Sequence, residues 1–206
     1  RDDREHARCF DVALDGRRLS GDVQLKLQTG GVAHRISPGS FYQVNLEVND
    51  LLVRRVRSEL LSRPIKEVLD LYAGSGNLSF PLAAAGKRIT QIEVAGSSVD
   101  DARRTAKREN LEASFVCGNA GRYEAGQHFF DAAILDPPRA GAPGVLDQLL
   151  VTRPRVIAYV SCDPKSLARD LRALTGSGYG ISRVELFDMF PHTAHIETLC
   201  ILEPAD

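Results

Sequence analysis

From residue 66 onward, short apolar runs alternate with helical patterns, a rhythm that confines the chain to very few architectures. The run KEVLDLY is followed by the glycine turn AGSGN and a helical pattern at about 77–85; RITQIE is followed by one at about 97–110. A short strand near 114–117, FDAAILD (130–136), a helix at 143–151, RVIAYVS (155–161) and a helix at 164–175 continue the series. Parallel strands need crossover connections, and strands this apolar need cover on both faces, so the pattern predicts an α/β fold with a mostly parallel sheet. The last two runs, ISRVELFDMF and HIETLCILE, stand only a few residues apart, too close for a helical crossover. They predict a closing hairpin with one antiparallel strand. Upstream, VNLEVNDLLVRRVRSELL (44–61) repeats apolar residues at helical spacing, and Pro64 follows its end. Earlier still, CFDVAL and VQLKLQ with their GR and GG turn signals predict a small antiparallel element within 9–36. The chain thus divides into an N-terminal β flank, 1–43, expected to be the remnant of a preceding domain, and a main domain, 44–206.

A length of 206 residues suits one sizeable core with a small appendage, and 43% hydrophobic with 26% charged residues excludes collagen-like, coiled-coil and wholly disordered chains. The formal net charge is -1, so a nucleic-acid partner would have to be held by a local basic face. Cys9, Cys117, Cys162 and Cys200 form no CxxC pair, which argues against a zinc knuckle, an iron-sulfur cluster or a disulfide scaffold and for a reducing, cytoplasmic home. No run reaches the length of a membrane span, and RDDREHARCF carries charge where a signal peptide needs apolar residues. A start without methionine, in a charged stretch, is expected of a fragment of a longer protein.

The chemistry-bearing residues gather at the predicted strand ends. Asp70, Gly74 and Gly76 lie in VLDLYAGSGNL, where glycines let a ligand approach the backbone. This is neither the GxGxxG dinucleotide fingerprint nor a P-loop, so NAD and ATP are disfavoured. Glu93 ends the next strand 17 residues after Gly76, where a carboxylate can accept from ribose hydroxyls. In ILDPPR, Pro137 and Pro138 stiffen the loop that aims Asp136, and Arg139 can support the loop or reach a phosphate. YVSCDPKSLARDL sets Cys162 at a helix head, with Asp163 as cap and Pro164 at the first helical position; the helix amides and Lys165 favour a thiolate, and Asp163 opposes it. Each of these has a plainer reading as a tight turn, a solvated acid or a buried thiol, and for Cys9, Cys117 and Cys200 the plain reading stands. In FPHTAHIETLC, His192 and His195 lie near Glu197 without a third well-spaced ligand, so no metal is expected, and Glu197 is a candidate proton acceptor.

Taken in order, FYQVN, LDLYAGSGNL, ILDPPRAG, YVSCDP and FPHTAHIET closely resemble the catalytic domain of the S-adenosylmethionine-dependent RNA 5-methyluridine methyltransferases, over roughly 37–203. The glycine motif is generic; DPPR, SCDP and HTAHIET together are specific. The resemblance implies a Rossmann-like class I methyltransferase fold with a seven-stranded sheet. It also implies S-adenosylmethionine as cofactor and a uridine in folded tRNA or ribosomal RNA as substrate, with no membrane, no obligate protein partner and a monomeric state. By the same resemblance Cys162 is the nucleophile and Glu197 the general base. Tyr72, Gly74, Gly76, Glu93, Asp136 and Gln43 belong to the cofactor site, and Gln43, Asp136, Arg139 and Phe190 to the substrate site. Phe41, Tyr42 or Phe190 would pack around a flipped base. Lys165 and Arg169 would join Arg139 near phosphates, whereas the basic groups at 54–57 and 103–108 read equally as solvated helix faces.

Three other readings stay open on the residues alone. Amino-group methylation of a base or of glutamine fits the Asp-Pro-Pro segment and needs no cysteine adduct. A noncatalytic RNA-binding module could keep the fold, although intact Cys162 and Glu197 argue against it. A nicotinamide oxidoreductase lacks its pyrophosphate-binding spacing.

Overall fold

The computed structural model describes residues 24–126, 128–193 and 196–205, together with two short paired segments at 13–14 and 17–18. The N-terminal part holds two hairpins: β1 (Ala13–Leu14) with β2 (Arg17–Arg18), and β3 (Leu25–Thr29) with β4 (Val32–Ile36). Gly30 and Gly31 close the second with φ of 56° and 88°, the left-handed pair that a two-residue hairpin turn requires. Cys9 lies outside the described residues.

Then follow α1 (Leu46–Leu61), β5 (Glu67–Leu71), α2 (Phe80–Ala83), β6 (Arg88–Glu93), α3 (Gly96–Glu109) and β7 (Ala113–Cys117). The chain continues with β8 (Ala132–Leu135), α4 (Val145–Thr152), β9 (Val156–Ser161), α5 (Pro164–Gly176), β10 (Tyr179–Phe187) and β11 (Glu197–Pro204). Seven strands form one sheet in the order β10-β11-β9-β8-β5-β6-β7. All neighbours pair in parallel except β11, which runs antiparallel to both β9 and β10. The expected reversed strand is present; the connection into it is longer than the sequence pattern indicates, because β10 ends at Phe187 and nine residues, 188–196, precede β11.

Side chains alternate across the central strands, which explains their continuous apolarity. Val68, Ile134, Val156, Ala158 and Ile201 pack beneath Leu52, Val53, Val56 and Leu60 of α1. Leu69, Leu135, Ile157 and Tyr159 face the other way, against Val145 and Leu149 of α4 and Leu167 and Leu174 of α5. The helix expected at 77–85 shrinks to Phe80–Ala83, because Gly74 and Gly76 both take positive φ and hold the preceding residues in turns.

The β3–β4 hairpin is tied to the main sheet's helices. Ser37 donates from its backbone N–H and its hydroxyl to the two oxygens of buried Asp101 on α3, at 2.9 and 2.6 Å, and Gly30 N–H donates to Asp50 of α1 at 2.9 Å. Val32 packs with Phe80, Ala102 and Ala106. Among the described residues, no helix is long and apolar enough to cross a membrane.

Candidate active site

A cleft of about 940 Å³ opens where β5, β6, β8 and β9 end, the position at which open parallel sheets bind ligands. At one end of it the turn after β5 carries Tyr72 with φ of 62°, an uncommon conformation for a side chain of that size, followed by Gly74 with φ of 55°. Gly74 N–H donates to Glu93 Oε2 at 2.9 Å and Ala95 N–H to Glu93 Oε1 at 2.7 Å. Glu93 therefore fastens the two turns together, and a carboxylate with about four acceptor sites keeps capacity for further donors. Asp70 lies buried beneath; burial chiefly, with Asp136 and Glu93 adding, raises its carboxyl to about 7 against the opposing bond from Ser79. Its Oδ2 and the Ser75 hydroxyl lack hydrogen-bond partners among the described residues.

The other end is built by the reversal of β11. Thr198 pairs with Ser161, so Glu197 stands beside Cys162, which follows β9. Asp136, at the end of β8, lines the same space with Pro137, Pro138 and Arg139. Glu197 is 2% exposed and its Oε1 has no partner among the described residues; burial, then Asp136, raises its carboxyl to about 8. Burial raises Asp136 to about 7. Asp163 caps α5 by accepting from Ser166 N–H at 2.7 Å, with Pro164 next, so the helix head lies where the sequence puts it. The thiolate expected there is not favoured in the free cleft. Burial, Glu197 and Asp136 push the Cys162 thiol up, against Arg139 and the backbone N–H at Cys162, which pull it down.

Of the residues singled out in the sequence, Gln43, Tyr72, Gly74, Glu93, Asp136, Arg139, Cys162, Phe190 and Glu197 all line this one cleft. Gly76 does not. A Cβ there would meet the Phe80 ring at 2.6 Å and Gln91 Nε2 at 2.8 Å, so its φ of 89° serves packing beneath the turn rather than ligand approach. Phe41 is 70% exposed at the cleft. Tyr42 also lines the cleft, with its hydroxyl tied inward 2.8 Å from Thr29 Oγ1 and its ring 5.6 Å from that of His34. Arg169 turns onto Asp170 and the Ala140 carbonyl instead of standing free for phosphate. Arg54, Arg55, Arg103, Arg104 and Arg108 all pair with carboxylates, as solvated helix faces do. His195 lies outside the described residues, and among those described no three His, Cys, Asp or Glu side chains are grouped as a metal ion would need.

Sequence reasoning passed over Asn119 and His34. Asn119 lines the cleft just past β7, and its place after a parallel strand was the available signal. His34 is buried in the hairpin with its ring stacked on Phe80 at 6.0 Å; burial, aided by Arg108, lowers it to about 4. Nothing in the sequence marks it beyond its inward place in an alternating strand.

Residues 68–138 match the family described as a methyltransferase domain, and 122–205 the family described as tRNA (Uracil-5-)-methyltransferase. The 23S rRNA (uracil(1939)-C(5))-methyltransferase RlmD of Klebsiella pneumoniae is 41% identical over 172 residues, covering 81% of this chain and 40% of that protein. The RlmD of Vibrio campbellii is 38% identical over 190 residues, covering 90% and 43%. The crystal structure of Pyrococcus abyssi tRNA (uracil-54, C5)-methyltransferase in complex with S-adenosyl-L-homocysteine superposes with a TM-score of 0.80 at 34% identity, covering 89% of this chain and 45% of that one. The fold and cleft are those of a Rossmann-like methyltransferase domain. Within that class the chain belongs to the RNA uracil-C5 methyltransferase family and corresponds to its catalytic domain. It spans 40–43% of the length of these two curated relatives.

Proposed function

We propose that this chain transfers a methyl group to C5 of a uridine in tRNA or ribosomal RNA. The observation that carries the reading is the antiparallel register of β11, which sets the buried carboxyl of Glu197 beside the Cys162 thiol, with Asp136 in the same cleft. S-adenosylmethionine fits the opposite end: Asp70 Oδ2 and Ser75 Oγ are buried acceptors in want of donors, and Glu93 retains acceptor capacity for ribose hydroxyls. Bound there, the cofactor supplies an electrophilic methyl group.

The chain's own residues account for the rest. Uracil C5 is a poor nucleophile until the Cys162 sulfur bonds to C6, which places enolate-like electron density on C5. Once C5 carries the methyl group, the Glu197 carboxylate takes the C5 proton. The S–C6 bond then breaks with its electron pair going to sulfur, C5=C6 re-forms, and Cys162 is released as the thiolate for another turn. Gln43 and Asp136 are assigned to the O4/N3 edge of the base, where a carboxyl raised to about 7 can serve as donor or acceptor. Arg139 favours the thiolate that Glu197 and Asp136 oppose. A uridine must leave its stack to enter, and exposed Phe41 is placed to pack against it. Cys117, Cys162 and Cys200 are all free thiols, which suits a reducing, cytoplasmic compartment.

Intact-mass analysis with S-adenosylmethionine and folded tRNA and ribosomal RNA fragments containing 5-fluorouridine tests this directly, because fluorine at C5 leaves no proton to remove and traps the adduct. The expected product is a protein–RNA species one methyl group heavier than the sum, absent in Cys162→Ala. No adduct with any RNA, or an adduct that survives Cys162→Ala, overturns the reading.

A further inference from the structure

The loop that carries Asp136 and Arg139 is fastened at its far end by a residue that the reaction does not use. Asp170 lies on α5, the helix whose head follows Cys162, and is 1% exposed. Its Oδ2 accepts from the Tyr159 hydroxyl of β9 at 2.6 Å and from Ala142 N–H of the loop at 2.8 Å. Its Oδ1 accepts from Arg169 Nε at 2.9 Å, and Arg169 Nη2 reaches on to the Ala140 carbonyl at 2.7 Å. Between these contacts sits Gly141, with φ of 80°; a Cβ there would lie 2.4 Å from Asp170 Oδ2 and 2.3 Å from Arg169 Nη2. The loop therefore wraps onto the carboxylate with no room between, held by one backbone donor and one backbone acceptor. A buried carboxylate needs such donors, and hydrogen bonds to an ionised group are shorter and stronger than neutral ones.

We propose that Asp170 is the positioning residue that locks the 136–144 loop to the Cys162 helix, so that Asp136, Arg139 and the thiol keep one fixed arrangement. The loop begins at the end of β8 and the thiol at the end of β9. Adjacent strands fix those starting points, and further along the loop the backbone at Ala140 and Ala142 is tied to α5 through Arg169 and Asp170. Asp170 supplies that tie through α5, the element already anchored beside the nucleophile. The consequence for turnover rests on the uridine-methylation reading above; the mechanical claim does not.

The test uses Asp170→Asn in the full chain, with three readouts that separate the two claims. Amide exchange across 139–142 is expected to speed up at least about tenfold while β5 and β6 amides stay protected, since the Ala142 bond loses its charged acceptor. Iodoacetamide alkylation of Cys162 is expected to move to higher pH, because Arg139 sits on the loosened segment while Asp136 stays at its strand end. S-adenosylmethionine binding, measured by calorimetry, is expected to stay within about twofold while kcat for RNA methylation falls more than about tenfold. A merely structural residue would lower thermal stability without moving the alkylation profile of the folded protein. Unchanged exchange and unchanged alkylation in a folded variant overturn the proposal. If wild-type protein alkylates and exchanges as described but methylates no RNA, the functional reading fails and the positioning claim stands. Should Asp170→Asn fail to fold, Arg169→Ala, which removes a half-exposed side chain, is expected to give the same two changes at smaller size. Its failure to change either one overturns the proposal equally.

Discussion

Glu197 and Asp170 are carboxyl groups of equal burial, 2% and 1% exposed, with opposite surroundings. Asp170 has three donors, from a tyrosine hydroxyl, a backbone amide and a guanidinium. Glu197 has an oxygen with no partner among the described residues, a neighbouring carboxyl that repels it, and a thiol beside it. An acid whose two oxygens are both held by internal donors is committed to the fold and serves to hold backbone. An acid left short of partners is unfavourable in the free protein and becomes satisfied when a ligand or a proton arrives. Burial alone therefore does not distinguish these two acids; the donors that surround them do.

The widest separation between the two acids is expected in turnover. Glu197→Gln keeps the shape of the side chain and removes its ability to take the C5 proton, so turnover should fall by roughly 10² to 10⁴-fold, the usual worth of a general base. The substitution should leave Cys162 able to attack, and a methylated protein–RNA adduct should build up on ordinary uridine substrates without fluorine. Denaturing electrophoresis of the reaction mixture checks this. Loss of turnover with no trapped adduct would mean that Glu197 acts before the C5 proton is removed.

How much of this contrast the sequence revealed depended on whether a feature is local. Cys162 was legible because an apolar strand, a capping Asp163 and Pro164 at the first helical turn all lie within a few residues. Asp136 was legible for the same reason, through the paired prolines. Glu197 could be named from the resemblance, but its reach into the cleft depends on pairing between β11 and β9, strands that α5 and β10 separate in sequence. Asp170 was illegible: in SLARDLRAL an acid between arginines looks like a solvated helix residue, and only the packing of α5 against the loop buries it. Gly76 was misassigned because a φ-positive glycine in a ligand-binding turn and one beneath it read identically. The Phe80 ring that distinguishes them is placed by the fold.

That misassignment yields a second, smaller effect. Gly76→Ala forces a side chain into a left-handed backbone position and into Phe80 and Gln91, neither of which has room to retreat in the core. The expected loss of stability is about 2–4 kcal/mol by chemical denaturation, in the range of strained backbone plus overpacking. Gly74→Ala, whose Cβ would meet nothing within 4 Å, carries the conformational strain alone and should lose less. Equal losses at the two positions would refute the assignment of Gly76 to packing.

The pH dependence of stability sharpens the comparison further. Glu197, Asp136 and Asp70 have carboxyls raised to about 8, 7 and 7 in the folded state, well above the ordinary carboxylate range of the unfolded chain. Between those limits the folded protein holds protons that the unfolded chain has released, so these groups' stabilising contribution is full below about pH 4 and is lost progressively as pH rises toward 8. Thermal unfolding of the free protein should accordingly show Tm falling between about pH 5 and 8. Glu197→Gln should flatten the upper part of that slope. Catalysis should run the opposite way: uridine methylation should quicken as pH rises through 8, because the base and the thiol must both lose protons. A Tm that rises over this interval, or a slope untouched by Glu197→Gln, would mean that the cleft carboxyls are already satisfied in the free protein.

The smallest effect is expected on the satisfied side of the comparison. Tyr159→Phe removes one donor from Asp170 and leaves the Ala142 amide and Arg169 in place. Losing one hydrogen bond to a buried carboxylate that keeps two others should lower stability by about 1–2 kcal/mol. Methylation rate per folded molecule should change less than about threefold, since the loop's own attachment to α5 survives. Combined with Asp170→Asn, the two losses should not add, because both act on the same oxygen. Strict additivity in denaturant titrations of the single and double variants would show that Tyr159 and Asp170 stabilise the protein independently, and that the hydroxyl plays no part in holding the acid to its loop.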